Sequence, residues 1–372
     1  MSNKAKVSNV EEKNGSLTFT LSNVNVSYAN GLRRIIISDI PVIAIESTPY
    51  DKNNVTIFIN KSRLNNELLK QRLSSVPIYI SALEEFPYGD YILEINKSNE
   101  SNVIIFVTSE DFQIKNIKTG KYLTRGEIQK IFPPDPITGD YIDLLRLRPK
   151  MSSNADKEQL HLEAKFTISN AKNSGTFNVV STCCYGNTLD QVKIKDAWEQ
   201  KEEELKQKYT KEEIDIFKKD WMLLDAKRNF EDDSFDFIIE TLGVYDNLKL
   251  VETGASLLIK KLYNSLNIIK ANIDNIEEIE DTMENCYTIK LENEDYTIGK
   301  IIEYNFYDKY FVKSKELNYV SFLKKHPHDN FSIIKLSYKS PITKDDIVVN
   351  LEECINSSIL VINSIKEYFS SK

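Results

Sequence analysis

Two adjacent arginines stand in a run with few other polar side chains: Tyr28 to Glu46 reads YANGLRRIIISDIPVIAIE. Pro41 fixes its own φ and pushes Ile40 out of the helical region, so a helix begun near Tyr28 has to end there, and VIAIE follows as a strand. On that helix Tyr28, Leu32, Ile35 and Ile36 share a face, while Ala29, Ile37 and Ile40 widen the apolar band nearly all the way round. Such a helix is buried on more than one side, and Arg33 and Arg34 then need acceptors. Three readings meet that need. The arginines snorkel to solvent from a core helix, they pair inside the chain with Asp39 or Glu46, or they reach a partner molecule.

The bulk of the chain excludes more than it selects. Its 372 residues suggest roughly two to three domains. The formal net charge is −8, and no lysine- or arginine-rich block stands out, so a direct grip on nucleic acid is disfavoured. Cys183, Cys184, Cys286 and Cys354 form neither a disulfide framework nor a C-x-x-C knuckle, and a structural zinc is not expected. Besides His161, the histidines are His326 and His328, which flank Pro327 and read as a surface turn. With three histidines and no glycine-rich phosphate loop, neither a nucleophile–base pair nor a cofactor cradle is evident. There is no apolar run of membrane-spanning length, and the first residues lack the apolar core of a signal peptide. A soluble protein of a reducing compartment is the expectation.

Along the chain, SLTFTL is expected as the first strand, with Leu17, Phe19 and Leu21 alternating against threonines. VTIFIN continues the strand pattern, NNELLKQRLSSVP reads as a short helix, and YILEI, NVIIFVT, LHLEAKFTI and TFNVVSTCCY as further strands of a β-rich insert. From 190 to about 234 the composition turns to mixed charge in a helical pattern, read as one solvated helix. FDFIIE is a strand, and a long amphipathic helix then places Leu248, Val251, Ala255, Leu258, Leu262, Leu266 and Ile269 on one stripe. The acidic stretch 272–285 reads as a linker.

The last portion repeats the opening. CYTIKLENEDYTIGKII sets Tyr287, Ile289 and Leu291 ahead of a helix entered near Tyr296 and Gly299, as SLTFTLSNVNVSYANGL sets Leu17, Phe19 and Leu21 ahead of Tyr28 and Gly31. Each half ends on a strand and a long amphipathic helix. The final one starts at Thr343 and Asp346, at capping-box spacing, and runs through Ile347, Leu351, Cys354, Ser358, Val361, Ile365 and Phe369. Two such α+β halves would bury their helical seams against each other as a pseudo-twofold body.

NGLRRIIISDIPVIAIE resembles the signature helix of the α-like subunits of cellular RNA polymerases: bacterial α, archaeal D and the third subunit of the eukaryotic enzyme. Asn30, Leu32, Arg33, Arg34, Asp39, Pro41, Ala44 and Ile45 stand where that family has its matching residues. NNELLKQRLSSVPI and FDFIIETLGVYDNLKLVETGASLLIKKL resemble its later segments. EDYTIGKII, with Asp295, Thr297 and Gly299, and the His326-Pro327 stretch resemble the smaller partner, archaeal L or the eleventh eukaryotic subunit, with Tyr296 in place of the usual histidine.

The resemblance implies a fusion of the two subunits, as associated with large nucleocytoplasmic DNA viruses. It implies an α+β fold: a discontinuous dimerisation domain over 1–47 and 179–271, an insert domain over 48–178, a linker at 272–285 and a second dimerisation domain over 286–372. It further implies a platform without catalytic residues or cofactor, on which the largest and second-largest subunits assemble, beside small subunits of the tenth and twelfth type, with no sequence-specific DNA contact and no membrane. The interface would be carried by Asn30, Leu32, Arg33, Arg34, Asp39, Pro41, Asp295, Thr297, Gly299, His326 and Pro327. The implied location is a viral factory in host cytoplasm and the virion for a viral chain, and the nucleus otherwise. A free-standing interaction scaffold using the long helices is the alternative.

Overall fold

Strand β1 (Lys6–Lys13) precedes the alternating segment, which is β2 (Ser16–Ser22), and the two pair antiparallel. Asn14 and Gly15, both at positive φ, make the turn between them, the Asn-Gly signal of a tight hairpin. The opening strand escaped the hydrophobic pattern because most of its side chains face solvent; the backbone ladder holds it. Leu17, Phe19 and Leu21 are buried as their alternation requires. Helix α1 (Val26–Ser38) then carries the arginine pair and stops ahead of Pro41. The computed structural model describes residues 4–150, 156–280 and 282–371. It divides into two compact units: Met1–Ile36, Thr182–Glu240 and Asn247–Lys372 form the first, Ile37–Ser181 and Thr241–Asp246 the second.

The second unit contains β3 (Val42–Ala44), β4 (Val55–Asn60), α2 (Asn66–Ser74), β5 (Tyr91–Ser98), β6 (Ile105–Thr108), β7 (Gln113–Asn116), α3 (Arg125–Ile131), β8 (Asp143–Leu147), β9 (Gln159–Lys165) and β10 (Thr167–Ser169). Its main sheet runs β4-β9-β5-β7, with β6 pairing β8 and β3 pairing β10. Leu69 and Leu73 of α2 join Leu93, Ile95, Leu160 and Leu162 of the sheet in one apolar core. The unit begins at Ile37 rather than at 48, so Asp39 and Pro41 belong to it, and it reclaims the chain at Thr241–Asp246. There the Tyr245 hydroxyl donates to the Pro41 carbonyl at 2.7 Å.

The first unit resumes with β11 (Val180–Leu189), whose first two residues lie in the second unit. The charged stretch that follows is a helical hairpin and not one helix. It comprises α4 (Gln191–Lys206) and α5 (Lys211–Leu223). Thr210 and Glu213 form a capping box that starts the second helix. Trp198 and Trp221 meet at 5.4 Å, and Ile194 and Ile214 are buried, so the mixed-charge surface conceals a narrow apolar seam. Next come β12 (Phe230–Thr241) and α6 (Asn247–Ala271), in which Leu250, rather than Leu248, is fully buried beside Val251.

The stretch expected as a linker carries β13 (Ile276–Glu278), paired with β14 (Cys286–Glu292); buried Ile276 anchors it despite the acidic neighbours. Then follow α7 (Tyr296–Phe306), a π-helical turn at Tyr307–Lys313, β15 (Leu317–Leu323), β16 (Phe331–Tyr338) and α8 (Lys344–Ser370). Thr343 and Asp346 do form the capping box of α8.

Two four-stranded sheets result, ordered β1-β2-β12-β11 and β13-β14-β16-β15. Taken in chain order the strands correspond one to one, and each sheet is accompanied by one short and one long helix. The long helices α6 and α8 pack along each other. Phe369 of α8 meets Phe19 of β2 edge-on at 5.1 Å, so the last helix also covers the first sheet. Fully burying one leucine or isoleucine of such a seam contributes about 1.5–3 kcal/mol. Among the described residues no helix is long and apolar enough to cross a membrane.

Candidate functional site

The arginine helix meets its counterpart in the C-terminal half. Asn25 Oδ1 accepts the Ser27 N–H at 2.9 Å to cap α1, and Asp295 Oδ1 accepts the Thr297 N–H at 2.8 Å to cap α7. From these caps the buried positions coincide. Ser27, Tyr28, Ala29, Gly31, Leu32 and Ile36 on α1 match Thr297, Ile298, Gly299, Ile301, Ile302 and Phe306 on α7. Tyr28 therefore corresponds to Ile298 and Gly31 to Ile301. The sequence pairing of Tyr28 with Tyr296 and Gly31 with Gly299 was two residues out of register, because a shared Tyr-x-x-Gly outweighed the cap positions that set the helix phase.

At the crossing the helices come close. A Cβ placed on Gly31 would lie 2.9 Å from Ile301 Cδ1, and one on Gly254 of α6 would lie 2.7 Å from Ile36 Cγ1. Leu32 is buried and reaches to 3.5 Å of the same Gly254 position. Gly299 is covered by the Phe322 ring, where a Cβ would overlap at 1.9 Å.

Arg34 finds its acceptors across this crossing. Its Nε donates to Thr297 Oγ1 at 2.8 Å, and an NH2 hydrogen goes to Asp295 Oδ2 at 2.9 Å. Asp295 thus caps α7 with one oxygen and neutralises the guanidinium with the other. Its charge also stands between that cation and the positive end of the α7 dipole. The side chains are 35% and 24% exposed, so the ion pair, screened by solvent, contributes no more than about 1 kcal/mol. Arg33 donates through Nε and NH2 to Asn30 Oδ1, at 3.1 and 2.9 Å, one helical turn back. Asp39 lies past the end of α1 and accepts from the Ser38 hydroxyl.

The corresponding place on the other side of the crossing is different. Tyr304 stands where Arg34 would, facing Asn25 and Ser27 across a cleft of about 330 Å3 also lined by Tyr185, Tyr307 and Glu303. Ser27 Oγ is buried there without a hydrogen-bond partner. Burial pushes the Cys183 thiol up to about 12, while the Arg33 charge acts against the shift.

A polar node missed in the sequence lies deeper. The Asn305 amide nitrogen is 2.8 Å from the Tyr28 hydroxyl, 2.9 Å from Ser358 Oγ and 2.7 Å from the Ile301 carbonyl. Ser358 Oγ donates to the Cys354 carbonyl at 2.9 Å. Burial pushes the Tyr28 phenol up to about 12, so it stays protonated at neutral pH. The available signal was Asn305 itself, a polar residue set among the apolar positions of α7.

The other expected site residues are dispersed. Asp39 and Pro41 belong to the second unit. His326 and Pro327 lie on the exposed turn between β15 and β16, where His326 Nδ1 accepts the His328 N–H at 3.1 Å and Asp329 Oδ2 accepts the His326 N–H at 3.0 Å. A cleft of about 590 Å3 in the second unit has Glu67 as its single charged lining residue among those described, and so offers no acid–base pair. Among the described residues no histidine, cysteine or carboxylate cluster could hold a metal ion.

Residues 18–262 match the family described as the RNA polymerase Rpb3/Rpb11 dimerisation domain. A segment of 79 residues is 34% identical to DNA-directed RNA polymerase II subunit rpb3 of Dictyostelium discoideum, covering 21% of this chain and 24% of that one. Over 115 residues the chain is 26% identical to DNA-directed RNA polymerase subunit Rpo3 of Pyrococcus furiosus, covering 29% and 41%. Over 164 residues it is 29% identical to DNA-directed RNA polymerases I and III subunit rpac1 of Dictyostelium discoideum, covering 39% and 43%. The chain spans less than half the length of each of these curated relatives. The elements from β13 to α8 lie beyond the matched residues.

Proposed function

The chain belongs to the family of the RNA polymerase Rpb3/Rpb11 dimerisation domain, and from that premise we propose that it is a non-catalytic platform subunit of a multisubunit DNA-directed RNA polymerase. In this reading the chain supplies both members of the dimerisation pair, its C-terminal half replacing the separate smaller subunit. The observation that carries the reading is the repeated sheet order, β1-β2-β12-β11 and β13-β14-β16-β15, with α6 along α8. Joining the halves makes their association intramolecular, at effective concentrations of about millimolar for a flexible connection.

The N-terminal half would dock the second-largest subunit through Asn30 and Arg33, and the second unit would add Asp39 and Pro41; Leu32 is buried within the chain. The C-terminal half would face the largest through His326 and Pro327, since Gly299 is covered by Phe322. Arg33 is the better docking cation, because its partner Asn30 is neutral, whereas Asp295 already meets the charge of Arg34. Arg34, Asp295 and Thr297 then serve assembly indirectly, by fixing α7 on α1.

Affinity purification of the tagged full chain from its native cells tests the reading. Recovery of the two largest polymerase subunits is expected, reduced at least tenfold by Arg33→Ala in a chain that stays folded. Recovery of neither large subunit would overturn the assignment.

A further inference from the structure

The contact between α1 and α7 is asymmetric at each of its corresponding places. At the centre, Gly31 faces Ile301, a small residue against a large one at equivalent positions. To one side, Arg34 bonds to Asp295 and Thr297, while the corresponding set on the other side is Tyr304 with Asn25 and Ser27. Deeper in, Tyr28 meets Asn305, whose counterparts are Ile298 and Ile35, both buried and apolar.

Each asymmetry acts against pairing of like with like. Two N-terminal halves would set Gly31 against Gly31 and leave a void, bring two Arg34 side chains to sites without a carboxylate, and bury each Tyr28 hydroxyl against Ile35. Two C-terminal halves would force Ile301 onto Ile301, leave each Asp295 without its cation, and set the Asn305 amide, still held by Ile301 and Ser358 of its own half, against apolar Ile298 in place of the Tyr28 hydroxyl. Only the unlike pair satisfies all three places.

We propose that the α1/α7 contact is a pairing code: the N-terminal half accepts only a half of the C-terminal type, from its own chain or from a second copy, and rejects its own kind. The ion pair and the polar node supply discrimination, and the helical seam supplies the cohesion. The code rests on the two-half organisation of the chain and not on the polymerase assignment, so it stands or falls in purified protein without any polymerase subunit.

The steric element gives the test, in full-length chains. Gly31→Ile should clash with Ile301, and Ile301→Gly should leave a void at the same place; each alone should lower the thermal midpoint and the soluble yield several-fold. The double variant Gly31→Ile/Ile301→Gly exchanges knob and hole within one chain and should recover most of both losses, since the numbers of glycines and isoleucines in the two helices are unchanged.

In trans, differently tagged Gly31→Ile and Ile301→Gly chains are co-expressed. Exchange of halves then creates one swapped pair and one native pair, so tandem purification and native mass spectrometry should yield 1:1 complexes at least tenfold above those of either variant with wild type. The milder pair Gly31→Ala and Ile301→Ala follows the same logic if a larger change prevents folding alone. A double variant no better than the worse single, or co-expression yielding no excess of 1:1 complexes, would overturn the code.

Discussion

The N-terminal and C-terminal halves of the first unit use the same order of strands and helices, but only one of them is interrupted. Between α7 with its π-helical turn and β15, the C-terminal half needs only residues 314–316; between α1 and β11, the N-terminal half sends the chain through the second unit. Between β15 and β16 runs the turn 324–330; between β11 and β12 stands the hairpin α4–α5. Both insertions fall at connections and neither falls in the sheets or in α6, where an interruption would break a hydrogen-bond ladder or a packed stripe. Lengthening a surface connection is thermodynamically cheap, because closure entropy grows only slowly with its length.

The comparison breaks most sharply at Ala29 and Gly299, which occupy equivalent places on α1 and α7. Gly299 lies under Phe322, with no room for a methyl group, whereas Ala29 is fully buried with its Cβ accommodated. Gly299→Ala is expected to cost about 1–3 kcal/mol through displacement of that ring, despite the gain in helix propensity. Ala29→Gly should cost about 1 kcal/mol, mainly through backbone entropy. Urea unfolding of the two variants measures the difference; a Gly299→Ala chain as stable as wild type would mean that Phe322 does not pack against Gly299.

A smaller expected effect concerns Tyr28 and Asn305. Asn305→Leu takes away one partner of a buried hydroxyl and should cost about 1–2 kcal/mol, while Tyr28→Phe/Asn305→Leu should return most of it, because no orphaned hydroxyl remains at position 28. The Tyr28 phenol also has a signature in pH. Its folded-state value is raised from 10.0 to about 12, so its contribution is fully present below pH 10 and is lost as the pH rises through 12. Tyr28→Phe should therefore flatten the alkaline fall in stability between pH 10 and 12, whereas a change at Ile298, the non-titrating counterpart, should leave that fall unaltered. Equal alkaline curves for wild type and Tyr28→Phe would refute the burial of the phenol.

The legibility of these features in the sequence follows the physics. Leu17, Phe19 and Leu21, and the stripe from Val251 to Ile269, were readable because one buried face imposes a period on the chain. β1 and β13 were not, since each is held by a ladder to one neighbour and shows little apolar period of its own. The arginine pair announced that acceptors must exist but could not name them. Asp295 and Thr297 are distant in sequence, and pairing them with Arg34 requires knowing that two helices cross. The glycine at position 31 acquires its meaning the same way, from what lies opposite it.

The smallest effect is expected where the two halves differ most in sequence length. The backbone N–H of Asp190 bonds to the Asn229 carbonyl at 3.1 Å, so the two ends of the hairpin insertion are already adjacent and a short turn could join β11 to β12, as residues 324–330 join β15 to β16. The hairpin core rests on Ile194, Trp198, Ile214 and Trp221, and much of its remaining apolar surface, including Ile216, Leu223 and Leu224, is exposed. Replacing residues 191–228 by Asn-Gly should therefore change the stability of the remaining fold by less than about 1 kcal/mol. The chain has two tryptophans, Trp198 and Trp221, and both lie in the hairpin, so its unfolding can be watched separately. In the intact chain tryptophan fluorescence should change at lower urea than far-UV circular dichroism, and the circular-dichroism midpoint should be nearly the same after excision. Coincident transitions, or an excised chain that no longer folds, would show that the hairpin is part of the cooperative core. The N-terminal half would then need its insertion where the C-terminal half manages with a turn.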